Sequence, residues 1–276
     1  MQNDNINLID DSGFNRLKKS KYGYCLYNKH DMYVGKSIDL YGEYCEDEAS
    51  FLAQICKSGD TVVEVGANIG THTIMMAQKV GLRGKVFAFE PQRIVYQTLC
   101  ANIALNSLRN VYAFNTAVGA TTGYVYIPSM DYESSNNFGG VSVKEDIQGE
   151  KVQLVKLDDC LEIDSCKLIK IDVEGMELDV LKGAVNIISR HSPILYLEND
   201  RVEKSKELIE YLWSLDYELY WHLPKLFNSA NFYELQENLI GNFISINMLC
   251  INKKSDIKIV NMTKVIDSGY HPSSRK

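Results

Sequence analysis

A chain of 276 residues, 45% hydrophobic and 24% charged, carries enough apolar surface for one large α/β domain with insertions, and this balance excludes global disorder. Its net charge of −7 supplies no overall positive field for a phosphate backbone or an anionic membrane, so nucleic acid is a minor expectation, and the longest basic run, Lys18-Lys19-Ser20-Lys21, reads as solvated surface. Seven cysteines without a C-x-x-C pair indicate neither a disulfide framework nor a zinc knuckle; no apolar stretch reaches the about 18 residues of a membrane span, and the polar start lacks signal-peptide character, so a cytoplasmic location is expected.

Residues 1–50, with Tyr22, Tyr24, Tyr27, Tyr33, Tyr41 and Tyr44, read as an N-terminal cap on a main domain of residues 51–276. From residue 61 onward short apolar runs alternate with helical stretches, the signature of βαβ units. Strands are expected at 62–65, 86–89 and 111–114, with helices at 71–80, closed by a glycine loop, and at 93–106. Residues 120–157 break the alternation: 124–127, 140–143 and 152–157 read as short strands separated by Gly, Asn, Ser and Asp, an antiparallel insertion. The alternation resumes with strand 168–172, helix 176–190, strand 194–197, helix 202–215 and strand 217–220, and a last strand at 245–252 has no readable pairing direction. The expected fold is α/β: a Rossmann-like, doubly wound, mainly parallel seven-stranded sheet with an antiparallel β insertion and an N-terminal cap.

The stretch T-V-V-E-V-G-A-N-I-G-T-H-T, Thr61 to Thr73, places a glycine turn after a buried strand and before a helix, where open α/β sheets receive nucleotide-like ligands. Gly66 and Gly70 let backbone approach a ligand without a Cβ in the way, and Asn68 offers an amide. Glu64 among valines needs a partner, because a lone buried carboxylate is costly. Glu90 ends the second strand, where such folds place an acid to accept hydrogen bonds from ribose hydroxyls. A dinucleotide is the competing ligand, yet G-x-G-x-x-G is absent, with Asn68 at its second glycine, so a nucleoside cofactor without a pyrophosphate fits better.

E-V-G-A-N-I-G-T-H-T, then F-A-F-E-P, A-V-G at Ala117 to Gly119 and K-I-D-V-E-G-M-E at Lys170 to Glu177 together resemble the FkbM family of methyltransferases, in order over roughly residues 42–200. The resemblance implies the class I methyltransferase fold, S-adenosylmethionine as methyl donor, and O-methylation of a sugar, glycan or secondary-metabolite hydroxyl. It also implies that Glu64, Gly66, Ala67, Asn68, Gly70, Thr71 and His72 line the methionine and ribose end, that Glu90 and Pro91 hold the ribose, and that Ala117 and Val118, in the stretch from Asn115, lie beside the adenine. Asp172 borders the same cofactor. N-methylation, RNA included, and a cofactor-binding regulatory domain without chemistry are the alternatives.

Methyl transfer to a hydroxyl needs positioning and a proton acceptor. Lys170 and Asp172 share one side of a strand, with Asp172 and Glu174 arriving at its carboxyl end. Asp172 is the preferred acid at the acceptor, with a structural cap for the helix beginning near Met176 as its alternative; Glu174 reads as a catalytic or a helix-start acid, and Lys170 as a catalytic lysine or an ion-pair partner. His222 has the intrinsic pKa of a general base or is a hydrogen-bonded structural residue. Glu198 and Asn199, at the next strand end, are candidate substrate ligands, and with Asp172 they make Mg2+ a candidate cofactor. Asn137, in the stretch N-N-F-G-G-V, is a candidate lid residue over the acceptor or part of a plain turn. The expected partner is a small-molecule or glycan acceptor whose identity, like the oligomeric state, has no readable code.

Overall fold

The computed structural model describes residues 12–141 and 149–274. A hairpin of β1 (Asn15–Ser20) and β2 (Gly23–Asn28) opens the chain, followed by helices α1 (Val34–Tyr41) and α2 (Glu46–Ile55). The first βαβαβ unit is β3 (Thr61–Val65), α3 (Thr71–Val80), β4 (Lys85–Phe89), α4 (Arg93–Leu105) and β5 (Val111–Phe114). Then come β6 (Ala117–Val118), β7 (Gly123–Pro128), β8 (Gly149–Val155) and a single turn, α5 (Leu157–Cys160). The second half holds β9 (Leu168–Ile171), α6 (Glu177–Lys182), α7 (Val185–His191), β10 (Ile194–Glu198), α8 (Val202–Ser214), β11 (Tyr217–His222), β12 (Asn247–Asn252) and β13 (Thr263–Lys264).

The main sheet runs β13, β11, β12, β10, β9, β3, β4, β5. Its strands are parallel except β12, antiparallel to both neighbours, and the short edge strand β13, which makes eight strands where seven were expected. Central strands such as β3 and β9 are buried at every residue because helices cover both faces. Their period of two divides the core: Val63, Val65, Ile169 and Ile171 meet α6 and α8 through Val180, Leu208 and Leu212, whereas Val62 and Leu168 meet α2 and α3 through Leu52, Met75 and Val80. Strand order reverses between β3 and β9, the switch point at which such sheets open a crevice.

The helix expected over 176–190 is two helices, because Gly183 packs where a Cβ would stand 2.1 Å from the Gly119 carbonyl, and its own carbonyl accepts the Asp158 N–H. The insertion is a three-stranded sheet of β6, β8 and β7. No strand forms at Gly140 and Val141, residues 142–143 lie outside the described residues, and Leu157 opens α5 rather than ending a strand. All seven cysteines are free. Among the described residues no helix is long and apolar enough to cross a membrane.

Residues 223–246, between β11 and β12, fold back on the N-terminal helices. Leu226 and Ile240 pack against Tyr41 and Cys45, and Glu43 accepts hydrogen bonds from Asn228 Nδ2 and the Phe232 N–H. This joins the cap to the far wall of the crevice.

Candidate active site

Two cavities meet at the switch point. The first is a narrow cleft lined by Gly66, Glu90, Pro91, Gln92, Thr116, Ala117, Val118, Gly139, Asp172 and Met176. The second is a chamber of about 600 Å³ whose wall includes Tyr44, Glu48, Asn68, Asn137, Asp172, Glu174, Glu198, Asp200, Arg201, Phe243 and Asn247. Asp172, Glu174 and Gly139 belong to both.

Glu90 follows β4 and is 4% exposed. Its carboxylate accepts the N–H groups of Asn68 (3.0 Å) and Gln92 (2.8 Å), which fix it at the cleft. Burial nevertheless pushes its pKa up to about 7. Asn115 does not enter the cleft: its amide donates to the Glu90 and Pro91 carbonyls and ties the ends of β4 and β5 together. Thr116, within the stretch expected beside the adenine, lines the wall, and Gln92 and Met176 take places there that no sequence reading assigned.

Glycine serves the loop differently from the sequence expectation. Gly66, with φ +86°, lines the cleft, and a Cβ there would stand 1.8 Å from the Asp172 carbonyl, so its freedom admits the β9 backbone. At Gly70 (φ +88°) the missing Cβ leaves room for Leu99 of α4. Ala67 lies in the core with Ala88 and Leu99, and Thr71 opens α3 facing Ser20 and Tyr22 of the cap. Neither lines the cleft or the chamber.

Below the crevice lies a buried charge cluster created by register. Glu64 pairs with Lys170 across β3 and β9, putting both side chains on the face covered by α2 and α3. Glu64 accepts the Thr73 hydroxyl and lines neither cavity; burial pushes its pKa up to about 7. Lys170 is 2% exposed and donates to Asp172 Oδ2 at 3.0 Å, with Glu48 Oε1 at 3.7 Å. Burial alone would lower its pKa, but the carboxylates of Asp172, Glu48 and Glu64 outweigh it and hold the lysine charged. His72 sits behind this cluster, its pKa pushed down to about 3 by burial and by Lys170. Asp172 itself is 41% exposed at the side chain and faces both cavities.

Glu174 pairs with Arg201, and burial followed by the Asp172 charge pushes its pKa up to about 7. Glu198 lines the chamber and Asn137 reaches it. Asn199 does not: it is 3% exposed, its amide donates to Ser205 Oγ and its carbonyl is engaged by His271 Nε2. His222 is also outside the chamber wall, its Nδ1 2.7 Å from the Tyr196 hydroxyl and its ring against Phe51. Because Asn247 Nδ2 donates to that hydroxyl, the Tyr196 proton points to His222, which is an anchored neutral acceptor in this arrangement. Asp172, Glu174 and Glu198 bring carboxylate oxygens within 4.8 Å of one another. Two of these three acids already have cationic partners, Lys170 for Asp172 and Arg201 for Glu174, so the cluster does not support a resident Mg2+.

A doubly wound sheet with an acid beyond β4 and a glycine turn beyond β3 defines a Rossmann-like domain of the nucleoside-binding class. A family model, the methyltransferase FkbM domain, matches residues 64–219, more than half of the sequence. The chain belongs to the FkbM methyltransferase family. It is similar to methyltransferase sdnD of Sordaria araneosa, 30% identical over 183 residues that cover 52% of this chain and 66% of that protein. It is also similar to the hexuronic acid methyltransferase AglP of Haloferax volcanii, 28% identical over 150 residues, 54% of this chain and 59% of that one. The matched stretch thus spans less than two thirds of the length of these curated relatives. Among solved structures, methyltransferase FkbM from Methylobacillus flagellatus KT covers 69% of this chain and 43% of its own, at 21% identity and a TM-score of 0.48.

Proposed function

We propose that this chain is an S-adenosylmethionine-dependent methyltransferase that methylates a hydroxyl of a sugar or similar polyol. The observation that carries the reading is the position of Asp172, a half-exposed carboxylate where the narrow cleft beside Glu90 meets a polar chamber. The cleft residues fit the cofactor. Glu90 accepts the ribose hydroxyls, and Ala117, Val118 and Met176 give an apolar wall for the adenine.

Bound S-adenosylmethionine supplies an electrophilic methyl group on a sulfonium. Asp172, with Oδ2 held by Lys170, would take the acceptor's hydroxyl proton on Oδ1 as that oxygen is methylated by the bound donor. Glu174, Glu198 and Asp200 offer acceptors to neighbouring hydroxyls, and Arg201 holds two of these three in place. The hexuronic acid named for one relative supports a sugar as acceptor class. Here the preponderance of carboxylates favours a neutral sugar over an anionic one.

Ribose hydroxyls donate to the ionised form of Glu90. With its pKa at about 7, the carboxyl must lose a proton below that pH, so cofactor affinity rises with pH toward about 7 and is level above it.

The test is methyl transfer from tritiated S-adenosylmethionine to neutral glycosides, uronic acid glycosides, amino glycosides and short RNA. The expected product is an O-methyl ether on a neutral sugar. Label on nitrogen or RNA, or no transfer to any of them by cofactor-loaded protein, contradicts the proposal.

A further inference from the structure

The cluster below the crevice contains one carboxylate that no motif marked and that the mechanism above does not use. Glu48, in the first turn of α2, is 4% exposed and lines the chamber beside Tyr44 and Asn68. Its Oε2 accepts the Asn247 amide at 3.2 Å. Its Oε1 is buried with no hydrogen-bond partner among the described residues. Lys170 Nζ at 3.7 Å and His72 Nδ1 at 3.8 Å are too far to donate, and His72 is neutral. Position near the start of α2 favours the negative charge without giving Oε1 a donor. Glu64, which the family resemblance implied for the methionine and ribose end, is by contrast closed off under Thr73.

We propose that Glu48 binds the α-ammonium group of the cofactor's amino-acid moiety in the chamber, so that the N-terminal helices complete the donor site. An ammonium brings the N–H donor that Oε1 lacks and a positive charge to a wall where carboxylates outnumber cations. The proposal rests on the cofactor reading above. It gives α2 a direct part in cofactor recognition and leaves Asp172 to face the acceptor.

The experiment is calorimetric titration of the full chain with S-adenosylhomocysteine and with its deaminated analogue, in the wild type and in Glu48→Gln. In the wild type the deaminated analogue binds at least tenfold more weakly. In Glu48→Gln the homocysteine compound loses at least tenfold, and the two ligands become equal within about twofold. Equal affinities for both ligands in the wild type overturn the proposal while leaving the cofactor reading intact, and this arm needs no folded variant. A variant that loses both ligands alike assigns Glu48 a structural role and overturns it as well. Binding of neither ligand by the wild type defeats the cofactor reading itself.

Discussion

Replacing Asp172 by Asn lowers the rate of methyl transfer by roughly 10² to 10⁴, the range of a lost general base, while S-adenosylmethionine affinity stays within about threefold. The amide keeps the size and much of the hydrogen bonding of the carboxylate but cannot take the acceptor's proton. Folding survives because Lys170 keeps Glu48 at 3.7 Å and remains on the same face as Glu64, so the buried cation is not left alone. Steady-state kinetics beside a binding titration separate the two quantities. Unchanged turnover removes Asp172 from the mechanism, whereas a large loss of affinity with unchanged turnover at saturation makes it a cofactor ligand only.

The second large effect is on stability. Gly66→Ala places a methyl group 1.8 Å from the Asp172 carbonyl, at a φ of +86° that side chains resist, and neither partner is the flexible end of a side chain. The ends of β3 and β9 must separate, which disturbs the Gly66 N–H to Phe89 carbonyl bond at 3.0 Å and the Asp172 N–H to Val65 carbonyl bond at 2.9 Å. The expected cost is about 3 kcal/mol or more, a melting temperature lower by roughly 6 to 12 °C, with cofactor binding lost. Gly70→Ala meets only the tip of Leu99 at 2.5 Å, which can turn aside, so its thermal melt shifts less. The reverse order of the two melting temperatures would show that the strand ends are not the tight point of the loop.

Much of this was legible because parallel strands buried on both faces leave continuous apolar runs. Residues 71–80 and 111–114 were delimited as they stand, and the glycine turn between 65 and 71 identified the crevice. The break at Gly183 was not legible, since it depends on a distant carbonyl at Gly119 rather than on local propensity. Residues at strand ends were the least readable. Glu198 and Asn199 are neighbours in sequence, yet one lines the chamber and the other is tied to Ser205 and His271. His222 carried the chemistry of a base in its side chain, but the antiparallel insertion of β12 brings Asn247 and Tyr196 to it and anchors it away from the chamber. Glu48 had no signal, because an acid in the first turn of a helix is an ordinary helix-start residue until the register of β9 sets Lys170 beside it.

The central claim is a nucleoside-cofactor site organised by Glu90, and calorimetric titration with S-adenosylmethionine, S-adenosylhomocysteine and NAD tests it most directly. Micromolar binding of the first two and none of NAD is expected, with affinity falling roughly tenfold per unit as pH drops below about 7. Glu90→Ala weakens both ligands and flattens that pH profile. Binding of NAD instead, or binding of the adenosyl compounds that is indifferent to Glu90→Ala, would contradict that claim.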